Sequence, residues 1–159
     1  MQGEVQVKDE IKIIGEVVVR TWRNGKLVQE VRGHNIFCIR GKKLLLDFLQ
    51  GNSVTGAEYE AIGTGTSTPA ETDLQLDNEV GRQPITQFVR SDDKTLYCNT
   101  FFNADYPSGS YNITEVGLFG NGASSDINSG YLISRVKLSS PVYKDNTLTL
   151  TVEHKLYFS

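Results

Sequence analysis

Apolar and polar residues alternate along the segment TLTLTVEHKLYF, residues 147–158. In an extended chain the leucines, the valine and the phenylalanine fall on one face, while Thr, Glu and Lys fall on the other. This period of two predicts a half-buried antiparallel strand. His154 is the one polar residue on the apolar face, and we interpret it as a core or interface histidine rather than a catalytic or metal-binding one.

A hairpin is predicted near the start of the sequence, where EVVVRTW and KLVQEVR lie on either side of a turn at Asn24–Gly25. Asn-Gly is the pair that most readily supplies positive φ at both central positions of a type I′ turn. A two-residue loop pairs large apolar residues across the strands, Trp22 with Leu27 and Val18 with Val31. We therefore expect this face of the hairpin to belong to the core.

One short helix is predicted at about residues 41–50, in the segment GKKLLLDFLQG. Leu44, Leu45, Phe48 and Leu49 recur at helical spacing, and Gly51 stands where a left-handed residue ends many helices. The apolar stripe could fit a partner's groove, but we expect it to close one end of a β core.

The rest of the chain is predicted to form successive strands separated by short turns, in the segments RQPITQFVR, TLYCNTFFNA, YNITEVGLFG and GYLISRVKL. About seven strands with a single helix indicate an all-β fold, either an antiparallel β-sandwich or a β-barrel-like domain. Residues 15–159 are expected to form this one domain. Residues 1–14 alternate only weakly, and we expect either an edge strand or an extended N-terminal arm that adds to a neighbour's sheet.

The composition of the chain argues against nucleic-acid binding and membrane association. The 159 residues carry 16 basic and 19 acidic side chains, a formal charge of −3, with no basic field for nucleic-acid phosphates. No long apolar run or signal-peptide pattern occurs, so we expect no membrane association and synthesis in the cytoplasm. Cys38 and Cys98 lie in apolar, β-rich surroundings and are expected to be buried free thiols.

The stretch IGTGTSTPAETDLQLDNE, residues 62–79, has the Gly-x-Gly of many phosphate-binding loops at Gly63 and Gly65. A dinucleotide fingerprint needs a third glycine three residues after Gly65 and a helix beginning there, but Thr68 and Pro69 follow, and then acidic residues. We therefore interpret the stretch as an ordered connecting loop.

No constellation of catalytic residues is found in the sequence. A nucleophile elbow is absent, and His34 is interpreted as a turn residue after the hairpin. Asp105, Asp126 and Asp145 lie near turns, but the spacing of a calcium loop is missing. We expect a protein that is not an enzyme and uses no cofactor or metal.

The segments GHNIFCIRGKKLLLDFLQG, AIGTGTSTPAETDLQLDNEVGR, TFFNAD, ITEVGLFG, GYLISRV and TLTLTV, taken in order, resemble a type of small virion protein of tailed bacteriophages. The resemblance covers roughly residues 15–158. It implies a virion structural subunit of the head-decoration, tail-fibre or baseplate type. Its structural or interface candidates, with those of the hairpin, are Gly63, Gly65, Pro69, Asp73, Glu79, Arg82, Glu115, Gly117, Trp22, Asn24 and Gly25.

Two details were predicted for the connecting loop. Leu74 and Leu76 are expected to tuck its far end into the sheet, and Arg82 is expected to link the loop to the sheet through a buried carboxylate pair.

Among virion roles, capsid decoration is favoured. Such subunits commonly form trimers and clamp neighbouring major capsid proteins with arms and sheet edges, so we expect this chain to form a homo-oligomer, with a trimer favoured. A small tail-fibre, baseplate or tail-tip subunit that contacts tail proteins is the alternative. A host-glycan-binding β-sandwich is another, since Tyr59, Tyr106 and Tyr111 near loops could stack on sugars.

Overall fold

In the computed structural model, which describes residue 3 and residues 10–159, the chain forms one antiparallel sheet and one helix. The strands are β1 Ile13–Arg23, β2 Lys26–Phe37, β3 Ala57–Gly63, β4 Glu79–Pro84, β5 Gln87–Asp92, β6 Thr95–Phe102, β7 Tyr111–Gly120, β8 Tyr131–Lys144 and β9 Thr149–Phe158. Helix α1 spans Ile39–Leu49. The predicted all-β class with one short helix is therefore confirmed.

The nine strands lie in the order β4-β3-β7-β8-β2-β1-β9-β6-β5, and the sheet curls into a half-barrel. The two edge strands are consecutive in sequence, and only Ile85 and Thr86 separate them. Three residue steps span at most about 11 Å, whereas a flat nine-strand sheet is about 38 Å wide. The connector therefore requires the curl, and it bonds to both sides, from Ile85 N to Glu58 O and from Thr86 N to Asn99 O, at 3.0 and 2.8 Å.

The hairpin forms as predicted, but its register shifts. Asn24 and Gly25 have φ values of 51° and 76°, and Trp22 lies opposite Leu27. Beyond this pair the register changes at a β-bulge, so Val31 faces Val19 and not Val18. The predicted pairing of Val18 with Val31 is wrong because the bulge adds one residue to β2. Leu27 is also 50% exposed, so the turn end of the hairpin does not belong to the core.

Helix α1 ends in the predicted way. Gly51 has φ +86°, its N–H donates to Phe48 O at 3.0 Å, and the Asn52 N–H donates to Asp47 O at 2.9 Å. These two bonds form a Schellman motif. The helix starts two residues earlier than predicted, and the Cys38 N–H before it donates to Ile133 O of β8 at 2.8 Å.

The expectation that the helix stripe closes the core is largely wrong. Leu44 is buried with Cys98, Leu118 and Ile133, but Phe48 is 68% exposed. Gly41 explains the geometry, because a Cβ there would lie 2.5 Å from Ile133 O. The helix therefore touches the sheet near its first turns and carries its later apolar residues outward.

Of the other sequence predictions, some are confirmed and some are wrong. RQPITQFVR is split between β4 and β5, and RGHNIF belongs to β2, so His34 is an exposed strand residue and not a turn residue. Both cysteines are buried and free, as expected. The alternation predicted for residues 147–158 is confirmed as far as His154, because Leu150, Val152 and His154 are each at most 1% exposed, but Phe158 at the end of the strand is 45% exposed.

The predicted N-terminal arm falls mostly on residues 1–2 and 4–9, which lie outside the described residues. Ile13 and Ile14, at its end, belong to β1 and pair with Phe158 and Tyr157 of β9. β1 is an interior strand of the sheet, with β2 on its other side.

Candidate functional site

Residues 64–78, which we call the clamped loop, connect β3 to β4 and are held by one buried carboxylate. Glu115 of β7 is 0% exposed and accepts backbone N–H groups of Gly65, Asp77 and Asn78 at 2.5, 2.9 and 3.1 Å. Thr114 donates its hydroxyl to Gly65 O at 2.6 Å. Both ends of the loop are thus fastened to the same strand, which makes a long connection an ordered one.

Arg135 of β8 holds the same loop from inside the sheet. Its side chain is 1% exposed, and its nitrogens lie 2.8 Å from Asp73, 3.1 Å from Asp77 and 3.3 Å from Glu115. It also donates to Ser67 O at 3.2 Å. The neighbouring carboxylates hold the pKa of Arg135 above its ordinary value, despite burial acting the other way. A guanidinium with three carboxylate partners stays charged, so it offers no titratable chemistry.

The glycines of the loop motif allow close approach rather than phosphate binding. A Cβ on Gly65 would lie 2.1 Å from both Asp77 and Glu115, and one on Gly63 would lie 2.6 Å from Asn78 O. Gly117 plays a similar part, since its Cβ would meet Leu76 at 2.9 Å.

The loop prediction for Leu76 is confirmed, because Leu76 is 1% exposed in a core cluster, whereas Leu74 is 48% exposed and not tucked in. Pro69 lies half-buried within the loop.

Arg82 does form a buried pair, with Glu79, but it ties down a different loop. Its Nε and Nη2 each lie 2.7 Å from a Glu79 oxygen, and both side chains are 0% exposed. Nη1 donates to Ser124 O and Ser129 O, so the pair supports the β7–β8 connection at residues 121–130. The guanidinium also lies 4.3 Å from the ring centre of Phe119.

Sequence reasoning missed Arg135, which holds the clamped loop together with Glu115. The signal was weak, because GYLISRVKL also carries Ser134 and Lys137 and is not a purely apolar run that the arginine interrupts. A buried charge in a central strand requires a partner, but the identity of that partner is set only by the fold.

Glu60, His154 and Ser134 form a second buried polar cluster, inside the half-barrel. His154 Nδ1 lies 3.0 Å from Glu60 Oε1, and His154 Nε2 lies 3.3 Å from Ser134 Oγ. Glu60 and Ser134 both pair with Leu118 of β7 and so lie in one row across three strands. The curl of the sheet brings β9 and its histidine over this row. Burial raises the pKa of Glu60, and the neighbouring His154 offsets part of that rise.

This cluster has the order of a serine–histidine–carboxylate relay, but its surroundings argue for a structural role. All three side chains are 0% exposed, and Ser134 lies within β8, where it is paired on both sides, to Phe37 and Leu118, next to a β-bulge. A nucleophile needs an open face and donors for the oxyanion, and a ladder-bonded strand residue supplies neither. His154 is thus the core histidine that was expected.

An extended exposed apolar surface lies around helix α1, and we call it the helix face. Leu46 is 66% exposed, Phe48 68% and Leu49 78%. Its members are large apolar residues of α1 and of the segments beside it: Leu45, Leu46, Phe48, Leu49, Ile11, Ile36 and Phe158. The largest apolar patches on protein surfaces are often contact surfaces.

Two clefts flank the helix. One, of about 520 Å³, lies between α1 and the β5–β6 turn and is lined by Phe48, Leu96 and Leu118 among others. The second, of about 690 Å³, lies on the other side of the helix and has Leu46 and Glu71 in its walls. Both clefts share Ile13, Phe37, Leu45 and Phe158.

The clamped loop forms part of the rim of the second cleft. Glu71 accepts the Ile39 N–H through its carbonyl at 2.8 Å and pairs with Lys42 at 2.8 Å. The loop motif and the helix face therefore belong to one surface, which we take as the candidate functional site.

The remaining residues that the sequence singled out, in the hairpin and among the tyrosines, lie outside this surface. Trp22 and the turn Asn24–Gly25 line neither cleft, and Trp22 donates to Thr151 at 3.1 Å. The three tyrosines considered for sugar stacking, Tyr59, Tyr106 and Tyr111, are half-buried and pack against core clusters.

Two further searches cover only residues within the described part of the chain. None of its acidic, His and Cys side chains come together in a group of three suited to a metal ion. The helix found there is too short and too polar to cross a membrane.

Comparison with known proteins gives no relative. No protein-family model matches the chain, and no curated protein or solved structure does either.

Proposed function

We propose that the protein is a non-enzymatic structural subunit of a tailed-bacteriophage virion, most favourably a capsid decoration subunit that contacts the major capsid protein. The observation that carries this proposal is the helix face. A folded domain that holds leucines and a phenylalanine in water has a use for them in assembly, because burying each contributes roughly 1.5–3 kcal/mol.

The motifs that carry the resemblance support the same proposal through their placement. Gly65 and Asp73 come from the GTGT segment, Glu115 from ITEVGLFG and Arg135 from GYLISRV. These segments meet in one buried cluster that fixes the clamped loop beside the helix face. A rigid loop at the rim of an apolar surface suits a contact that repeats many times in a particle, because little entropy is lost on binding.

The absence of enzymatic activity is part of the proposal. The one relay-like arrangement noted, at Glu60, His154 and Ser134, is sealed inside the half-barrel. A fluorophosphonate probe, which labels activated serines, should therefore leave Ser134 unmodified in the folded protein. Labelling of Ser134 would show that the relay is reachable and would remove this part of the proposal.

The location in the particle is tested by immunogold electron microscopy of phage particles whose genome encodes the chain. Gold over the head surface supports decoration. Gold confined to the tail supports the alternative, a small tail-fibre, baseplate or tail-tip subunit. Protein that is made in infected cells but is missing from purified particles overturns the virion role.

The contact surface is tested by adding purified protein to particles that lack it. Leu46→Glu, in the helix face, should reduce binding at least tenfold. Leu27→Glu is the matched control, because Leu27 is 50% exposed and lines neither cleft. Equal binding by the two variants would show that attachment to the particle does not depend on the helix face.

A further inference from the structure

We infer that the helix face is the docking surface for a second copy of this chain, through a two-fold interface in which each α1 packs beside the other. The inference rests on the proposed role as an assembly subunit and deepens it. The helix face pairs two copies, in place of the trimer that the resemblance implies, and the pair is the unit that enters the particle.

The size of the helix face fits a dimer interface. Its seven residues are between 40% and 78% exposed. If a free side chain of this size carries roughly 150 Å², the face exposes on the order of 600 Å² of apolar surface. One side of a standard interface buries about 800 Å², and somewhat more than half of that is apolar. The helix face alone can therefore supply the apolar part of one side.

The shape of the surface is self-complementary. Helix α1 is a ridge with an apolar cleft along each side, of about 520 and 690 Å³. The ridge of a second copy can lie in a cleft of the first, and a two-fold axis then places the first ridge in the equivalent cleft of the second. Phe48 lines the first cleft and is 68% exposed, whereas Leu46 and Leu49 line the second cleft and are 66% and 78% exposed. These are the side chains expected to enter the clefts of the other copy.

The charges around the second cleft favour an identical, uncharged partner surface. The basic side chains in its wall are Lys12 and Lys42, which pair with Glu10 at 3.4 Å and with Glu71 at 2.8 Å. On the exposed side of the helix Lys43 pairs with Asp47 at 2.6 Å. Because these charges are paired within each copy, two copies can bring their second clefts together without like-charge repulsion. The first cleft carries Arg90, Asp93 and Lys94, a formal charge of +1 in each copy.

The inference is tested by sedimentation velocity of the purified full chain from about 1 to 100 µM. The wild-type protein should shift from monomer to dimer. Leu46→Glu should weaken the dimerisation constant at least tenfold, whereas Leu27→Glu should match the wild type. Both substitutions are at exposed positions, and far-UV circular dichroism checks that each variant keeps its fold.

Hydrogen exchange locates the interface in the same samples. Peptides covering residues 39–49 should exchange more slowly at the high concentration than at the low one, and peptides covering residues 24–27 should not change. A wild-type chain that stays monomeric at 100 µM overturns the inference, and so does a dimer that Leu46→Glu leaves intact.

The two proposals fail separately. A monomeric chain that still enters particles, and loses entry with Leu46→Glu, assigns the helix face to another virion protein and overturns only the pairing. A dimer that is absent from particles overturns the virion role and keeps the pairing.

Discussion

Replacing Arg135 with methionine should free the clamped loop and destabilise the fold. Methionine keeps the length of the aliphatic stem but removes the guanidinium and its bonds to Asp73, Asp77 and Glu115. The carboxylates are then left without their cation.

The size of the destabilisation by Arg135→Met follows from how deeply each of its three carboxylate partners is buried. Asp73 and Asp77 have side chains that are 25% and 36% exposed, so water can solvate them once the arginine is gone. Glu115 is 0% exposed but keeps three backbone N–H donors. Removing one partner of a buried pair costs about 3–5 kcal/mol, and these compensations place Arg135→Met near 3 kcal/mol.

The assay is urea unfolding followed by the emission of Trp22, which is the only tryptophan. With a slope near 2 kcal/mol per molar urea, the midpoint should fall by roughly 1.5 M. Hydrogen exchange of the same variant under native conditions should show faster exchange in residues 64–78. Asp73 and Asp77 accept the N–H groups of Ala70 and Ser67, and without the guanidinium these carboxylates are no longer held in place.

Arg82→Met is the matched control, since its guanidinium is equally buried and pairs with Glu79. It should destabilise the protein by a similar amount but speed exchange in residues 121–130, leaving residues 64–78 protected. A loss below about 1 kcal/mol for Arg135→Met, or the same exchange pattern in both variants, would refute the account of the clamp.

Three further outcomes are expected. Burial raises the pKa of Glu60 in the folded state, so the stability that Glu60 contributes is present below its unfolded pKa and is lost as the pH rises from 4.5 through its folded pKa. The Glu60→Gln variant should therefore show a smaller fall in the free energy of unfolding over this pH range. Identical pH profiles for the variant and the wild type would contradict this expectation. Gly65→Ala should lower the free energy of unfolding by about 1–3 kcal/mol, because the added methyl group would overlap Asp77. Gly56→Ala is the control, since a methyl group at Gly56 meets open space, and it should change the free energy of unfolding by less than about 0.5 kcal/mol. Urea titration of both variants measures the two values. Burial raises the pKa of Cys38 to about 11, so iodoacetamide near pH 8 should modify this thiol only after the protein unfolds. Mass spectrometry follows the modification, and rapid labelling of the folded protein would contradict the expectation.

The hairpin and the helix end show what local sequence can establish. Asn24 and Gly25 adopt the positive φ values that their types favour, and Gly51 ends α1 as a left-handed residue. Both are set by the sterics of one or two residues. The bulge that shifts Val31 by one place has no such local signature, so the register further along the hairpin was predicted wrongly.

The helix stripe shows a different limit of local reasoning. Its spacing predicts a helix, and the helix is present, but spacing does not say which apolar face meets the sheet and how much of it does. Gly41 brings the start of α1 close to β8, and the later residues Phe48 and Leu49 then lie beyond the sheet. The exposed surface on which the proposed function depends is therefore a result of docking.

Sequence alone determined the all-β class, the alternating terminal strand, the turn at residues 24–25 and the ordered character of residues 64–78, because period, turn chemistry and backbone permissiveness act over a few residues. The tertiary structure alone decided the curl of the sheet and the partners of the buried charges. Glu60 meets His154 across 94 positions of sequence, and Arg135 meets Asp73 across 62. Such pairs form where the folded chain excludes water, and one sequence carries no record of which distant residues will share that space.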